Sequence, residues 1–255
     1  MKMIIDEIPG YRLEQMDEGS FEETGFVWRK IFLEQEPVAV HLGLTEKDIL
    51  QIWNSISLLS LKSSAVTVIA RETKKGKIVG ARLAVDFYYH ANPSLHYRIE
   101  NSLMKLIDWK PRLVSTLAKV AYPNAIKLAS WGILAMKHYD TWKTQYLPAE
   151  IDLSKKRQVL SMMGVGVLEE HTGHRLGQKM TELVHQLAKE QGYLYSVVYC
   201  TNAISQHVFE KLGYIQRDKI DYDSTQFANT YPYRGMMDLI KTKRELSSNL
   251  YDFRL

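Results

Sequence analysis

The chain has 255 residues, 45% hydrophobic and 24% charged, with 14 glycines, 7 prolines, one cysteine and a formal net charge of +4. That balance excludes a fibrous or disordered chain and allows a sizeable core, in one large domain or two small ones. No apolar run approaches the ~20 residues of a membrane span, and no Lys/Arg block points to nucleic acid.

The N-terminal segment, Met1-Lys2-Met3-Ile4-Ile5-Asp6-Glu7-Ile8, is interrupted by acids before a leader core can form. With Cys200 as the single cysteine, the expectation is a cytoplasmic, reducing setting. Tyr11 to Met16 alternates as a first strand would. Ser20, with Glu23 three residues on, has the form of a capping box and predicts a helix over residues 21–33, with Phe21, Trp28, Ile31 and Phe32 as its apolar stripe. Pro37 ends that helix, because it disfavours helical backbone at Glu36 and has no N–H to donate. Ile49, Ile52, Trp53 and Ile56 predict a second helix over residues 45–59. Residues 65–70 and 78–85 read as strands joined into a hairpin by Lys74-Lys75-Gly76-Lys77.

Residues 87–150 lack clear strand signals. Helical patterns occur over 101–107, 113–120 and 125–146, with Pro93, Pro111, Pro123 and Pro148 between and around them. The apolar run Val159 to Val167 then breaks into a polar, Gly-bearing turn, Glu169 to Gly177. The following helix carries Leu176, Met180, Leu183, Val184 and Leu187 on one face and is stopped by Gly192. A strand at 195–199, a helix at 203–212 closed by Gly213, and a β-like run at Tyr214-Ile215 complete a strand, turn, helix, strand, helix, strand succession, an α/β layer. Residues 221–233 read as a polar, aromatic loop, 234–240 as the final strand, and the tail from Lys241 as an exposed end.

A strand that turns through glycines into a helix is suited to an anion, since first-turn N–H groups are unpaired and glycine lets a phosphate come close. His174, Arg175 and Lys179 lie in or near that turn. The same turn would also serve geometry alone.

These segments resemble the GNAT superfamily of acyl-CoA acyltransferases, whose phosphate loop reads Arg/Gln-x-x-Gly-x-Gly/Ala a few residues beyond a strand-end valine. Here Val167 is followed by Thr172-Gly173-His174-Arg175-Leu176-Gly177: Thr172 stands in place of Arg or Gln, Arg175 in place of the middle Gly, and Gly177 matches. The family's Asn followed by a helix ending in Glu-Lys-Leu-Gly-Phe/Tyr is met closely by Asn202 to Tyr214. The resemblance implies a mixed α/β GNAT fold: a central, mostly antiparallel twisted sheet with one splayed parallel strand pair and helices on both faces. Residues 1–255 would then form a single acetyltransferase domain, with 87–150 as a helical insertion or as extra core.

The resemblance also implies acetyl-CoA as co-substrate, held by Val165, Gly166, Val167, Thr172, Gly173, His174, Arg175, Leu176, Gly177 and Asn202; the mild positive charge suits it. Many family members protonate the leaving thiolate with a Tyr where this chain has Phe209. Insect-type arylalkylamine N-acetyltransferases instead have Asp-Glu-Pro after the first long helix and two hydroxyl residues four apart. Gln35-Glu36-Pro37, Thr201 and Ser205 are similar to these. Carried over, Glu36 is the general base acting through water, and Thr201 and Ser205 lie near the thiolate. By themselves Glu36 reads equally as a helix-end acid, and the hydroxyls as caps. Tyr88, Tyr89, Tyr231 and Tyr233, in predicted loops, are candidates to line an aromatic amine pocket. Cys200 has no partner spacing for a nucleophile, and no His-x-x-x-His or Cys-x-x-Cys spacing suggests a metal. The expected activity is acetyl transfer to a small primary amine, an arylalkylamine; a polyamine, amino acid or protein lysine substrate, or a silent domain binding CoA or a protein partner, are the alternatives.

Overall fold

The computed structural model describes residues 4–50, 53, 66–91, 125–223, 225–226, 231–234, 236 and 247–255. Strands β1 (Ile4–Ile8), β2 (Tyr11–Gln15), β3 (Val68–Glu72), β4 (Ile78–Asp86), β5 (Val159–Val167), β6 (Tyr195–Cys200), β7 (Ile215–Asp221) and β8 (Ser247–Arg254) form one sheet in the order β1-β2-β3-β4-β5-β6-β8-β7. Every neighbouring pair is antiparallel except β5 with β6. The helices named below are α1 (Phe21–Gln35), α2 (Pro37–Leu42), α3 (Ala125–Gln145), α4 (Leu176–Glu190) and α5 (Ala203–Lys211); a short helix, Tyr88–Ala91, follows β4. Among the described residues, no helix is long and apolar enough to cross a membrane.

Alternation along the strands divides the core between the two faces. On β3, Val68 and Ala70 pack with Met180, Val184 and Leu187 of α4 and Phe209 of α5, whereas Ile69 packs with Val27, Trp28 and Ile31 of α1 and Val38 of α2. A third cluster, Phe87, Tyr139, Trp142 and Leu250, seats α3 on the sheet. Each fully buried side chain of this size contributes about 1.5–3 kcal/mol.

Several expectations need correction. The acid-interrupted N-terminal segment contains a strand, β1, paired with β2. Ser20 does not cap α1: its hydroxyl donates to Asp17 at 2.6 Å, within a single 3-10 turn that Asp17 caps. Glu23 instead accepts from Ile78 N at 2.8 Å and Arg71 Nη1 at 3.0 Å. Pro37 ends α1 but also opens α2, because a missing N–H costs nothing at the first position of a helix. Residues 46–50 are helical, as expected of 45–59, of which most lies outside the described residues, as do 101–107 and 113–120.

The final strand is β8, in the tail expected to be exposed. Of 234–240 only Arg234, in a turn, and Met236, helical, are described. β8 lies between β6 and β7 and is buried from Ser247 to Asp252. Its polar side chains tolerate that because each is paired. Ser248 Oγ meets His138 Nε2 at 2.8 Å, and Asp252 accepts from Trp142 Nε1 at 2.9 Å and Arg217 Nε at 3.0 Å.

The β5–β6 pairing runs only from Val159↔Tyr195 to Met162↔Val198. Beyond it β5 continues beside β4 alone, with Gly164 to Val167 opposite Leu83 to Gly80. One edge of β5 therefore lies open. Glycines let α1 settle onto this stretch: a Cβ on Gly164 would stand 3.0 Å from Trp28 Nε1, and one on Gly166 would collide with the Ile31 side chain.

Candidate functional site

A cleft of about 630 Å³ opens where β5 and β6 part. The open edge of β5 forms one wall and Tyr199 to Ser205 the other; Trp28, Phe32 and Glu36 reach it from α1, and Arg82 and Phe209 are buried lining residues, each 1% exposed. Trp28, Phe32 and Glu36 are spaced by four, which puts them on one side of α1; that spacing was the available sequence signal for this wall.

Glu36 is the hinge between two helices. Its backbone is extended (φ −80°, ψ 115°), ending α1 and starting α2, and its carboxylate accepts from Val38 N at 3.5 Å. The Thr201 and Asn202 side chains, from the β6–α5 turn, favour the ionised form of the same carboxylate. Burial outweighs these three neighbours and pushes the Glu36 carboxyl up to about 7. A carboxylate balanced there can take and release a proton at neutral pH.

Asn202 caps α5, accepting from Ser205 N at 2.8 Å, while the Ser205 hydroxyl donates to Asn202 O at 2.9 Å. The Thr201 carbonyl accepts from Tyr222 OH at 3.0 Å. Glu36, Thr201 and Asn202 thus meet directly, with Ser205 one bond further on. Burial pushes the Cys200 thiol up to about 12, so it is not poised as a thiolate.

Val165, Gly166 and Val167 line the cleft, and Val167 O accepts from Gln35 Nε2 at 3.2 Å. Thr172 and Gly177 line it too. Gly173 (φ +83°) and Arg175 (φ +58°) turn the chain into α4, whose first turn has neither a side-chain cap nor an acid. Its free N–H groups and partial positive charge suit a phosphate. Leu176 is buried in the core, so only its backbone can serve a ligand. Arg175 is exposed, the His174 ring lies 5.2 Å from that of Tyr11, and Lys179 pairs with Asp6 at 3.1 Å. Two of the three basic side chains thus engage the β1–β2 hairpin.

The four tyrosines singled out for an amine pocket do not line this cleft. Tyr88 and Tyr89 lie under Lys156, Tyr231 under Arg234, and Tyr233 is buried against Tyr222. Its aromatic lining is Trp28, Phe32, Tyr199 and Phe209. Arg82 was passed over, and the only signal was a lone charge inside the apolar run Ile78 to Val85.

Elsewhere, Asp218 and Ser248 flank His138, at 2.8 Å from its Nδ1 and Nε2. With His138 and Ser248 fully buried, this row ties α3 to β7 and β8. Among the described residues, no group of three or more His, Cys, Asp or Glu could hold a metal ion.

Residues 132–214 match the model of the Acetyltransferase (GNAT) family. No curated protein matches the chain. Solved structures share its fold: arylalkylamine N-acetyltransferase 2 from Aedes aegypti has a TM-score of 0.71 at 16% identity, covering 96% of this chain and 98% of its own. The Drosophila melanogaster polyamine N-acetyltransferase scores 0.63 at 15%, covering 96% and 100%. The C-terminal condensation domain of Ebony, in complex with beta-alanyl-dopamine, scores 0.65 at 13%, covering 99% and 100%.

Proposed function

We propose that this member of the GNAT acetyltransferase family transfers the acetyl group of acetyl-CoA to a small primary amine, an arylalkylamine, with Glu36 as general base. The observation that carries this reading is the Glu36 carboxyl, held in the cleft by Thr201, Asn202 and Val38 N and raised to about 7. A primary amine arrives mostly as its ammonium form; a base near neutrality takes that proton, directly or through water, and frees the nucleophile.

Acetyl-CoA supplies the acetyl group already activated as a thioester. The residues fit such a donor. The first turn of α4, with Gly173 ahead of it and Gly177 in it, offers N–H groups to the pyrophosphate, and the open β5 edge from Val165 to Val167 offers backbone partners to the amides of the pantetheine arm. Thr201 and Ser205 supply hydroxyls on the opposite wall. Trp28 and Phe32 give an aryl group apolar faces beside Glu36.

A polyamine is the second reading. Glu34 lies on the cleft rim, exposed, and can receive a distal cation; the polyamine N-acetyltransferase shares this fold. The test is thiol release from acetyl-CoA across arylalkylamines, polyamines and amino acids. Turnover that is fastest with arylalkylamines is expected. Preference for polyamines would move the substrate to the second reading, and no turnover with any amine would end the enzymatic one.

A further inference from the structure

Arg82, in the middle of β4, shares a face with Ala84, and its side chain lines the cleft where β5 and β6 part. It is 1% exposed. Its guanidinium carbon stands 4.9 Å from the centre of the Phe209 ring, and among the described residues Nε and Nη2 have no hydrogen-bond partner. The titratable side chains acting on it are Cys200 of β6, Tyr214 beyond α5, Tyr139 of α3 and His185 of α4. None is a carboxylate. Burial pushes Cys200 up to about 12, raises Tyr214 and lowers His185 to about 4, so none of these three supplies a negative charge at neutral pH. Burial also brings Arg82 down, to about 10, which leaves it a cation.

An unpaired buried cation is costly, and the face of Phe209 offsets only part of that cost. We propose that Arg82 is an anion subsite in the lining of the cleft, and that its anion is the sulfur of CoA, as the thiolate that acyl transfer releases. This rests on the reading of acetyl-CoA as donor. In that reaction the amine nitrogen bonds to the carbonyl carbon, the carbon–sulfur bond breaks, and its electron pair stays on sulfur. An ammonium substrate loses two protons: Glu36 takes the first and passes it to solvent, then takes the second as the amine attacks, so the negative charge lost at Glu36 in that step reappears on sulfur.

Met162, Val198, Cys200 and Phe209 line the cleft as buried side chains, as Arg82 does. That apolar, polarisable lining suits a diffuse thiolate better than a carboxylate, which would call for further donors. A charge that forms only as the bond breaks is also stabilised selectively in the transition state, with no matching gain in the ground state.

The test compares affinity for CoA and for desulfo-CoA from about pH 6 to about pH 9, around the free thiol pKa of ~8.5, in the parent, Arg82→Met and Arg82→Lys. In the parent, CoA should gain on desulfo-CoA by about tenfold or more as pH rises. Arg82→Met should abolish that gain and Arg82→Lys keep part of it, with desulfo-CoA affinity unchanged in all three. Arg82→Met, freed of an unpaired charge, should melt no lower than the parent, and its turnover should fall about 10²-fold. The subsite is overturned if Arg82→Met keeps the parent's pH-dependent preference. It is also overturned if only the parent binds a carboxylate-bearing acyl donor, succinyl-CoA, more tightly than acetyl-CoA. Failure of both CoA and desulfo-CoA to bind would bring down the donor assignment itself, and the subsite with it.

Discussion

Thr201 lies across the cleft from Glu36, and its hydroxyl favours the ionised carboxylate at the end of the first long helix. Glu36 stays ionisable, because Thr201, Val38 N and Asn202 offset only part of the burial that raises it to about 7. Glu36→Gln preserves size and most hydrogen bonding but accepts no proton. kcat should fall about 10²- to 10⁴-fold near neutral pH with CoA affinity nearly unchanged. The parent kcat/KM should rise through about pH 7. The variant should lose that step and recover relative to the parent at high pH, where more amine is already free. A pH–rate profile of both proteins checks this.

The same carboxyl sets a stability slope. Its folded pKa, about 7, lies above the unfolded value, so its contribution is fully present below about pH 4.5 and is lost as pH rises through about 7. Glu36→Gln should therefore be more stable than the parent at pH 8, with the difference closing toward pH 4.5 in denaturant titrations. His138 and His185 act in the opposite sense. Burial lowers both, His185 to about 4, so their contribution is present above about pH 6.5 and is lost as pH falls through the folded values. Glu36 masks part of that loss, and the acid limb of Glu36→Gln should be steeper than the parent's.

Gly166→Ala would drive a methyl group into Ile31 on α1. Overpacking of this kind costs about 1–3 kcal/mol. Because α1 ends at Glu36, activity should fall along with stability. Adding Ile31→Ala, which removes the γ2 methyl that the new Cβ would meet, should offset part of both losses, and a double-mutant cycle with coupling near zero would refute the contact.

Arg175 holds a left-handed conformation (φ 58°, ψ 20°) ahead of α4. Arg175→Gly should relieve about 1 kcal/mol of backbone strain and raise the melting temperature of the ligand-free protein. If the exposed guanidinium folds onto the CoA pyrophosphate, the same change should weaken CoA binding tenfold or more. Calorimetry with CoA reads the second effect independently of the first.

What the sequence determined by itself is the stretch from β5 to α5. There the apolar period switches from strand to helix and back, and glycines mark the turns, so local physics specifies each element. That α1 ends at Glu36, ahead of Pro37, was legible for the same reason. β8 was not. Ser247, Ser248, Asn249 and Asp252 read as solvated until His138, Trp142 and Arg217 arrive to pair with two of them, and burial of a polar strand depends on partners far away in the chain. Ser20 likewise looked like a cap for α1 until Asp17 took its hydroxyl. Gly166 was read as a place for a ligand; that its missing side chain also makes room for Ile31 was decided by the packing of α1. Arg82 was an oddity in an apolar strand; that it ends unpaired, over Phe209 and inside the cleft, was decided by the meeting of β4 with α5, a contact that local sequence patterns do not encode.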